Sequence, residues 1–501
     1  MKKVLSTVAA LGLVAGMSAS ASALEWSISG DYTVQGVNLN HTNRGTTVAT
    51  GLAGPRAGDF NDGPLAGQDD DQNSDAYYWH QFRTDVTMKV NDNIKVLSEI
   101  YMIDAYTGWE DTRNNAVGDT THGNYVNVFK LWMQYTTPFG LFEIGRLPNG
   151  QVLNAFTNTD LQGDGIKFSP NLPEPFTLCL VTQKVDENDS VISVGFNDDT
   201  DNDYDYYHVS VGYHTENIVA DTALRYWDNA VSRDLGVGAP YNQEFWTWWL
   251  AADLTFGNFY VEGEFAYTFG NWMDWEDDTL GAVDDIDIDA MSLMLNGGAK
   301  FGDLDIGLMY FFLEGQDEDD DNPGELDDDM TAYMMFSGGA GGAFSPYYVL
   351  TGPQTAMLNQ DAVGNGNIDQ EIAAAGIHCL GVHADFQVSP KLTVHGAIAY
   401  AWADETDFPS AYPNGAQFGA GTDGDTIDED GTIDEREDDY GWEIDVGVAY
   451  KLLDNLTYSL NIGYLDTGDF FAVAYDAAGD SYETDDTNDI LLVTNTLTME
   501  F

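Results

Sequence analysis

The chain is poor in base, in sulfur and in long apolar runs. Of its 501 residues only 18 are Lys or Arg, against 84 Asp or Glu, for a formal net charge of -66. Phosphate recognition depends on Lys and Arg displacing counterions, so this balance excludes nucleic acid as a partner. Two cysteines, Cys179 and Cys379, cannot build a disulfide framework or a four-thiolate metal site. No stretch beyond the N-terminus approaches the ~20 apolar residues of a membrane-spanning helix. A Gly-x-Ser-x-Gly elbow is absent and the eight histidines are scattered, which argues against a hydrolase and, with it, against any enzyme. What is abundant is aromatic. At 13% Phe, Trp and Tyr the chain is too rich in rings for an acidic disordered protein.

Residues 1–23 read as a secretory signal. Lys2 and Lys3 give a positive start, VLSTVAALGLVAGM a short apolar run, and Ala21-Ser22-Ala23 a small-x-small cleavage site. The remaining 24–501 alternate in polarity with a period of two, which is the strand pattern. Tyr458, Leu460, Ile462 and Tyr464 share one face of YSLNIGYL, and Phe259, Val261, Phe265, Tyr267 and Phe269 share one face of NFYVEGEFAYTFG. A soluble sandwich alternates too, so the connections carry the decision. Tight joints (VNDN, TPFG, SPNLPEP, TEN, GN, GD, SPK, LDN) take turns with long ones near 43–76, 107–123, 148–163, 186–203, 229–242, 271–285, 314–371, 404–438 and 467–487. Hairpin turns at one end and elaborate loops at the other are the asymmetry of a transmembrane up-and-down β-barrel. The rhythm predicts a single all-β domain of 18 antiparallel strands, with 16 as the alternative because the segments near 141–147 and 164–169 are short. In lipid such a sheet must close, since no water satisfies stray N–H and C=O groups. Clusters such as Tyr77-Tyr78-Trp79, Phe245-Trp246 and Tyr310-Phe311-Phe312 fit aromatic girdles at the two interfaces.

Leu491, Val493, Leu497, Met499 and Phe501 lie on one face of a segment that stops at an aromatic residue. Together with FGLFEIGRLPNG (139–150) and DGIKFSPNLPEPFTLCLVTQ (164–183), this resembles the Gram-negative outer-membrane porins. The motifs cover about 45 residues of strand, Gly-Arg, loop, short strand and Ser-Pro turn. The resemblance implies short periplasmic turns, long extracellular loops, a homotrimer in lipopolysaccharide and lipid, and recognition of Phe501 by the barrel-assembly machinery. It also implies that Arg146 and Lys167 form the basic wall of a constriction, faced by Asp160 and Asp164. Alternation by itself puts Arg146 with Phe142 and Ile144, on the lipid side, unless a bulge at Gly145 re-aims it. The loop at 148–163 is short for a constriction loop and lacks its Pro-Glu-Phe segment.

Arg83, Lys130, Trp132, Glu143, Lys167, Arg225, Glu262 and Glu264 fall in the inward phase and are expected to line the pore. Trp132, Trp227 and Trp249 are candidates for an aromatic track. Residues 314–330 contain ten carboxylates and no base, and 404–439 contain thirteen with Arg436 alone. Such a mouth concentrates cations and repels anions, so passive diffusion through the channel should favour cations. TIDEDGTIDERE (426–437) nearly fits the twelve-residue calcium loop, with Asp428, Asp430, Thr432, Asp434 and Glu437 as oxygen donors and Gly431 at the sharp turn. No cofactor is otherwise required. His383, His395 and Asp385, near Cys379, read as lumen lining, with a transition-metal site as the rarer alternative. Cys179 and Cys379 belong to distant strands and should be free thiols. Two non-channel readings remain: a sheath around a multihaem cytochrome, the chain having no Cys-x-x-Cys-His of its own, and a soluble exported β-protein.

Overall fold

A computed structural model describes residues 24–40, 74–103, 126–148, 156–157, 162–186, 203–230, 241–275, 285–317, 329–331, 344–352, 375–406, 425–427, 433–435, 437–471, 473–475, 481–483 and 489–501. Eighteen strands make the wall. They are β1 (Glu25–Asn40), β2 (Ser74–Lys89), β3 (Ile94–Ile103), β4 (Asn127–Thr137), β5 (Gly140–Pro148) and β6 (Gln162–Pro170). Next come β7 (Phe176–Asp186), β8 (Tyr204–His214), β9 (Ile218–Asn229), β10 (Tyr241–Phe256), β11 (Phe259–Trp275) and β12 (Ile286–Phe301). The last six are β13 (Leu304–Leu313), β14 (Ile377–Ser389), β15 (Leu392–Trp402), β16 (Asp439–Leu453), β17 (Leu456–Thr467) and β18 (Ile490–Glu500). A two-residue strand, Asp329–Met330, attaches in parallel to β12 beyond the reach of β13.

Each strand pairs antiparallel with the next, and β18 returns to β1 with Asp31 opposite Glu500 and Asn40 opposite Leu491. Past that register, the backbones of Gly30 and Phe501 exchange two hydrogen bonds of 3.0 Å. No edge is left in the wall, which is what lipid demands. The 16-strand alternative therefore falls: β5 and β6 are short, at nine residues each, yet each is a full member of the cylinder. Two of the tight joints turn on Gly257 and Gly302, whose φ of 65° and 64° is open to glycine at little steric cost.

The outer face reads as three zones. A middle band of Ile144, Ile166, Leu250, Leu308, Ile398 and Val446 is exposed. At the short-turn end lie Phe139, Phe176, Phe256, Phe301 and Phe501, also exposed. Towards the loop end Tyr226 packs on Trp246, and Tyr400 on Trp442, with centroids 4.8 Å apart in each pair. The paired letters of the expected girdles divide as alternation requires. Trp246, Tyr310 and Phe312 face out, whereas Phe245 and Phe311 are buried inside. Among the described residues no helix is long and apolar enough to cross a membrane; this chain crosses with strands. Val446→Arg, on the middle band of β16, is expected to cost roughly 2–4 kcal/mol of stability. Reversible urea unfolding in lipid vesicles would measure it, and a cost near zero would move that strand out of the bilayer.

Candidate functional site

The lumen is not an open tube. Two stretches of loop fold into it and dock on the same side of the wall, five strands apart, each held by backbone N–H groups pointing at a buried carboxylate.

The first comes from the connection between β5 and β6. Thr157 donates to Glu264 of β11 through its N–H at 2.8 Å and its hydroxyl at 2.5 Å, and the Phe156 N–H adds a bond of 3.4 Å. Trp249 Nε1 also donates to Thr157 Oγ1 at 3.2 Å. Small inward side chains on the receiving wall, Ala251, Ala266, Ala290 and Ser292, leave room for this approach, and all are buried.

The second lies between β13 and β14, in the stretch 344–352. Val349 and Leu350 donate their N–H groups to Glu443 at 2.6 and 2.7 Å, and Tyr348 donates to Asp445 at 3.0 Å. Three inward glycines make the bed on which it lies. A Cβ at Gly463 would stand 2.9 Å from Tyr348 Cβ and 3.0 Å from a Val349 methyl. One at Gly447 would stand 2.5 Å from the Tyr348 hydroxyl, and one at Gly381 would collide with the ring of Tyr347. Glycine inside a strand weakens it, and here each marks the close approach of another backbone. The two stretches meet where Phe156 packs on Phe344 at 4.7 Å, with Phe311 of β13 touching both.

Where the chain leaves β13, Glu314 accepts a bond from the Met291 N–H at 2.5 Å. Burial pushes its carboxyl up to about 7, against the pull of that N–H and with Asp404, Asp317 and Asp289 adding to the rise.

Opposite the docked stretches runs a line of bases. Arg83 pairs with Asp31 at 2.9 Å, Lys130 with Glu99 at 3.4 Å and Lys167 with Glu143 at 3.3 Å. Glu143 also accepts from Trp132 Nε1 and Gln134 Nε2. Arg225 is buried among the rings of Tyr206, Trp227 and Trp249, 4.8 to 5.0 Å from each centroid, and its Nε reaches His208 Nδ1 at 3.4 Å. The arc from β10 to β17 is different. Its inner face presents Glu262, Glu264, Asp305, Asp385, Glu443 and Asp445 against two strand lysines close to the short turns, Lys451 and Lys300, of which Lys300 pairs with Asp305 at 3.5 Å.

Eight expected inward residues, Arg83, Lys130, Trp132, Glu143, Lys167, Arg225, Glu262 and Glu264, are all on the lumen side. Their environments differ. The Arg83 side chain is 42% exposed, while Arg225 and Glu264 are 2% and 1% exposed and serve the wall and the docked loop. Trp227 and Trp249 form the Arg225 cage instead of a track. Arg146 and Asp164 are corrections. They stand opposite each other on β5 and β6, in phase with Ile144 and Ile166, and so face outward. Gly145 has a φ of 132°, but the pairing of β5 runs through it without a register shift, so nothing re-aims Arg146. Its Nε donates to the Phe129 carbonyl at 3.1 Å. The row continues outward as Lys184, opposite Asp164 and ion-paired with Asp203.

Asp160 lies outside the described residues. So do Asp428, Asp430 and Thr432 of the calcium-like stretch; Asp434 is placed by its backbone only, in a small hairpin opposite Thr426, and Glu437 is exposed. His395 stands opposite Asp385, with Nδ1 3.0 Å from Oδ1, whereas His383 is offset by one step and bonds Asn296, which in turn donates to Glu262. Among the described residues no three His, Cys, Asp or Glu side chains cluster as metal ligands. Cys179 and Cys379 are both free thiols, and Cys379 is buried. The sequence reading missed the docked stretch 344–352 altogether. Its available signal was the inward glycines 381, 447 and 463, beside inward carboxylates with no base across from them.

No family model matches the chain, and no curated protein does. Among solved structures it is similar to OpdQ of Pseudomonas aeruginosa, at 10% identity and a TM-score of 0.45 over 95% of this chain and 97% of that one. It is also similar to the outer membrane protein OpdK of the same species, at 10% identity and 0.42 over 95% and 99%. A third is an anion-selective porin from Comamonas acidovorans, at 11% identity and 0.41 over 96% and 100%. These likenesses concern the fold.

Proposed function

We propose that the chain is a water-filled channel of the bacterial outer membrane that lets small hydrophilic solutes and ions diffuse passively and favours cations. The observation that carries this reading is the division of charge around the lumen. The inner bases Arg83, Lys130 and Lys167 on β2, β4 and β6 already face carboxylates. On the arc from β10 to β17, Asp305 pairs with Lys300, and Glu264, Glu443 and Asp445 hold the docked stretches. Glu262 and Asp385 have no Lys or Arg ion-pair partner among the described residues. Charges left over on a low-dielectric wall act on a passing ion more strongly than they would in water. The acidic loops add to the same sign. The arrangement performs no bond chemistry; width and field do the work.

Within this reading the export signal at residues 1–23 takes the protein across the inner membrane, and assembly of the barrel uses the strand that ends at Phe501. The mature form is a homotrimer in lipid and lipopolysaccharide. No cofactor is required for conduction, and calcium at 426–437 would serve to hold acidic loops together. The lumen is occupied by the chain's own loops, which favours solute passage over service as a sheath for a cytochrome.

Planar-bilayer recording across a KCl gradient tests the proposal. The reversal potential should take the sign of K⁺ permeation at low salt and shrink towards zero near 1 M, where the screening length drops to about 3 Å. An anion-selective trace would overturn the selectivity, and no conductance at all would overturn the channel.

A further inference from the structure

Between the docked stretch and the seam of the barrel lies a cavity of about 180 Å³. Gln35 of β1, Asn461 of β17, Leu492 and Thr494 of β18, and Ser345 and Tyr348 of the docked stretch line it. No Asp, Glu, Lys or Arg is among the lining residues, in a chain with 84 acidic side chains. What lines the space instead is two carboxamides and three hydroxyls, groups that donate and accept alike.

Their mutual bonds are long. Tyr348 Oη donates to Asn461 Oδ1 at 3.2 Å and Asn461 Nδ2 to Thr494 Oγ1 at 3.4 Å. Both exceed the usual ~2.8–3.0 Å for such pairs, so the groups have little to lose by turning to a solute. Gly447 keeps the site open from below. A Cβ there would meet the Tyr348 hydroxyl at 2.5 Å and Asn461 Oδ1 at 2.7 Å, the two groups at its centre. The Tyr348 ring and Leu492 supply apolar surface for C–H faces. A bare ion of either sign would find no opposite charge to offset its dehydration.

We infer that this cavity is a binding subsite for a neutral polyhydroxylated solute of about monosaccharide size, met on the way through the channel. The inference rests on the channel reading above, and one recording separates the two. Current without sugar tests the channel. Glucose is then added, with gluconate and lysine as charged comparators, and the block of each variant is normalised to its own sugar-free current. Glucose should block partially and saturably, gluconate and lysine should not, and Asn461→Leu should raise the half-blocking concentration at least tenfold. Thr494→Val, nearly the same in shape, should raise it as well and stands in if Asn461→Leu does not fold. A channel that conducts but shows no saturable glucose block overturns the inference and leaves the channel standing. So does equal block by gluconate or lysine, or block that neither substitution changes.

Discussion

Glu264→Ala is expected to widen the channel and make its current noisy. The parent carboxyl group collects three donors from Phe156 and Thr157, and each such hydrogen bond is worth about 0.5–1.5 kcal/mol net. Losing them removes roughly 3 kcal/mol from docking, which moves the docked-to-free ratio by about a hundredfold. Trp249 still donates to Thr157 and Phe156 still packs on Phe311 and Phe344, so the loop should return intermittently. Single-channel records should therefore show larger steps with frequent partial closures. Glu264→Gln, which keeps the shape and one acceptor, should lie between. Records from Glu264→Ala indistinguishable from the parent would mean that the loop is held by its rings alone.

Glu443→Ala should expose a thiol. In the parent, Cys379 is completely buried, on the same inward face as Gly381, against which Tyr347 lies. The substitution leaves the N–H groups of Val349 and Leu350 without their acceptor, at about 1–3 kcal/mol for each buried orphan. Asp445 still holds Tyr348, so the stretch should lift without leaving. In a Cys179→Ser background, a water-soluble maleimide should label Cys379 at least ten times faster in Glu443→Ala than in the parent, tenfold corresponding to about 1.4 kcal/mol. Unchanged labelling would show that the stretch does not cover that thiol. Because Phe156 touches Phe344, Glu264→Ala should raise labelling too. The two effects should not add, as expected for residues coupled through a shared contact.

The cylinder was legible because lipid enforces a simple rule on it. Every second side chain must be apolar outside, and eight tight turns against nine long connections can be counted from Gly, Pro, Asn and Asp. Alternation also assigned the lumen side of Lys130, Lys167, Arg225 and Glu264 correctly. It assigned Arg146 correctly as well, to the outside; the resemblance to porins pulled that residue and Asp164 inward, and backbone phase prevailed. The contents of the lumen were harder to read. Glu264 looks like a pore charge until the loop that it grips is in view, and the grip involves peptide groups that every residue type shares. Arg225 likewise looks solvated, because nothing local says that Tyr206, Trp227 and Trp249 come from three successive strands to surround it. The stretch 344–352 carries no charge pattern at all, and only its glycine bed on β14, β16 and β17 hints at a guest.

Both inner stretches are moored mainly through main-chain amides to side chains that belong to the wall. Any residue except proline can present such an amide, so the moorings place little constraint on which side chains the guests carry elsewhere. Related chains could thus change the bore and its chemical taste by exchanging residues at 156 or 345 while Glu264, Glu443 and Asp445 stay as they are. The durable part of the filter is the mould, and the part free to vary is what rests in it.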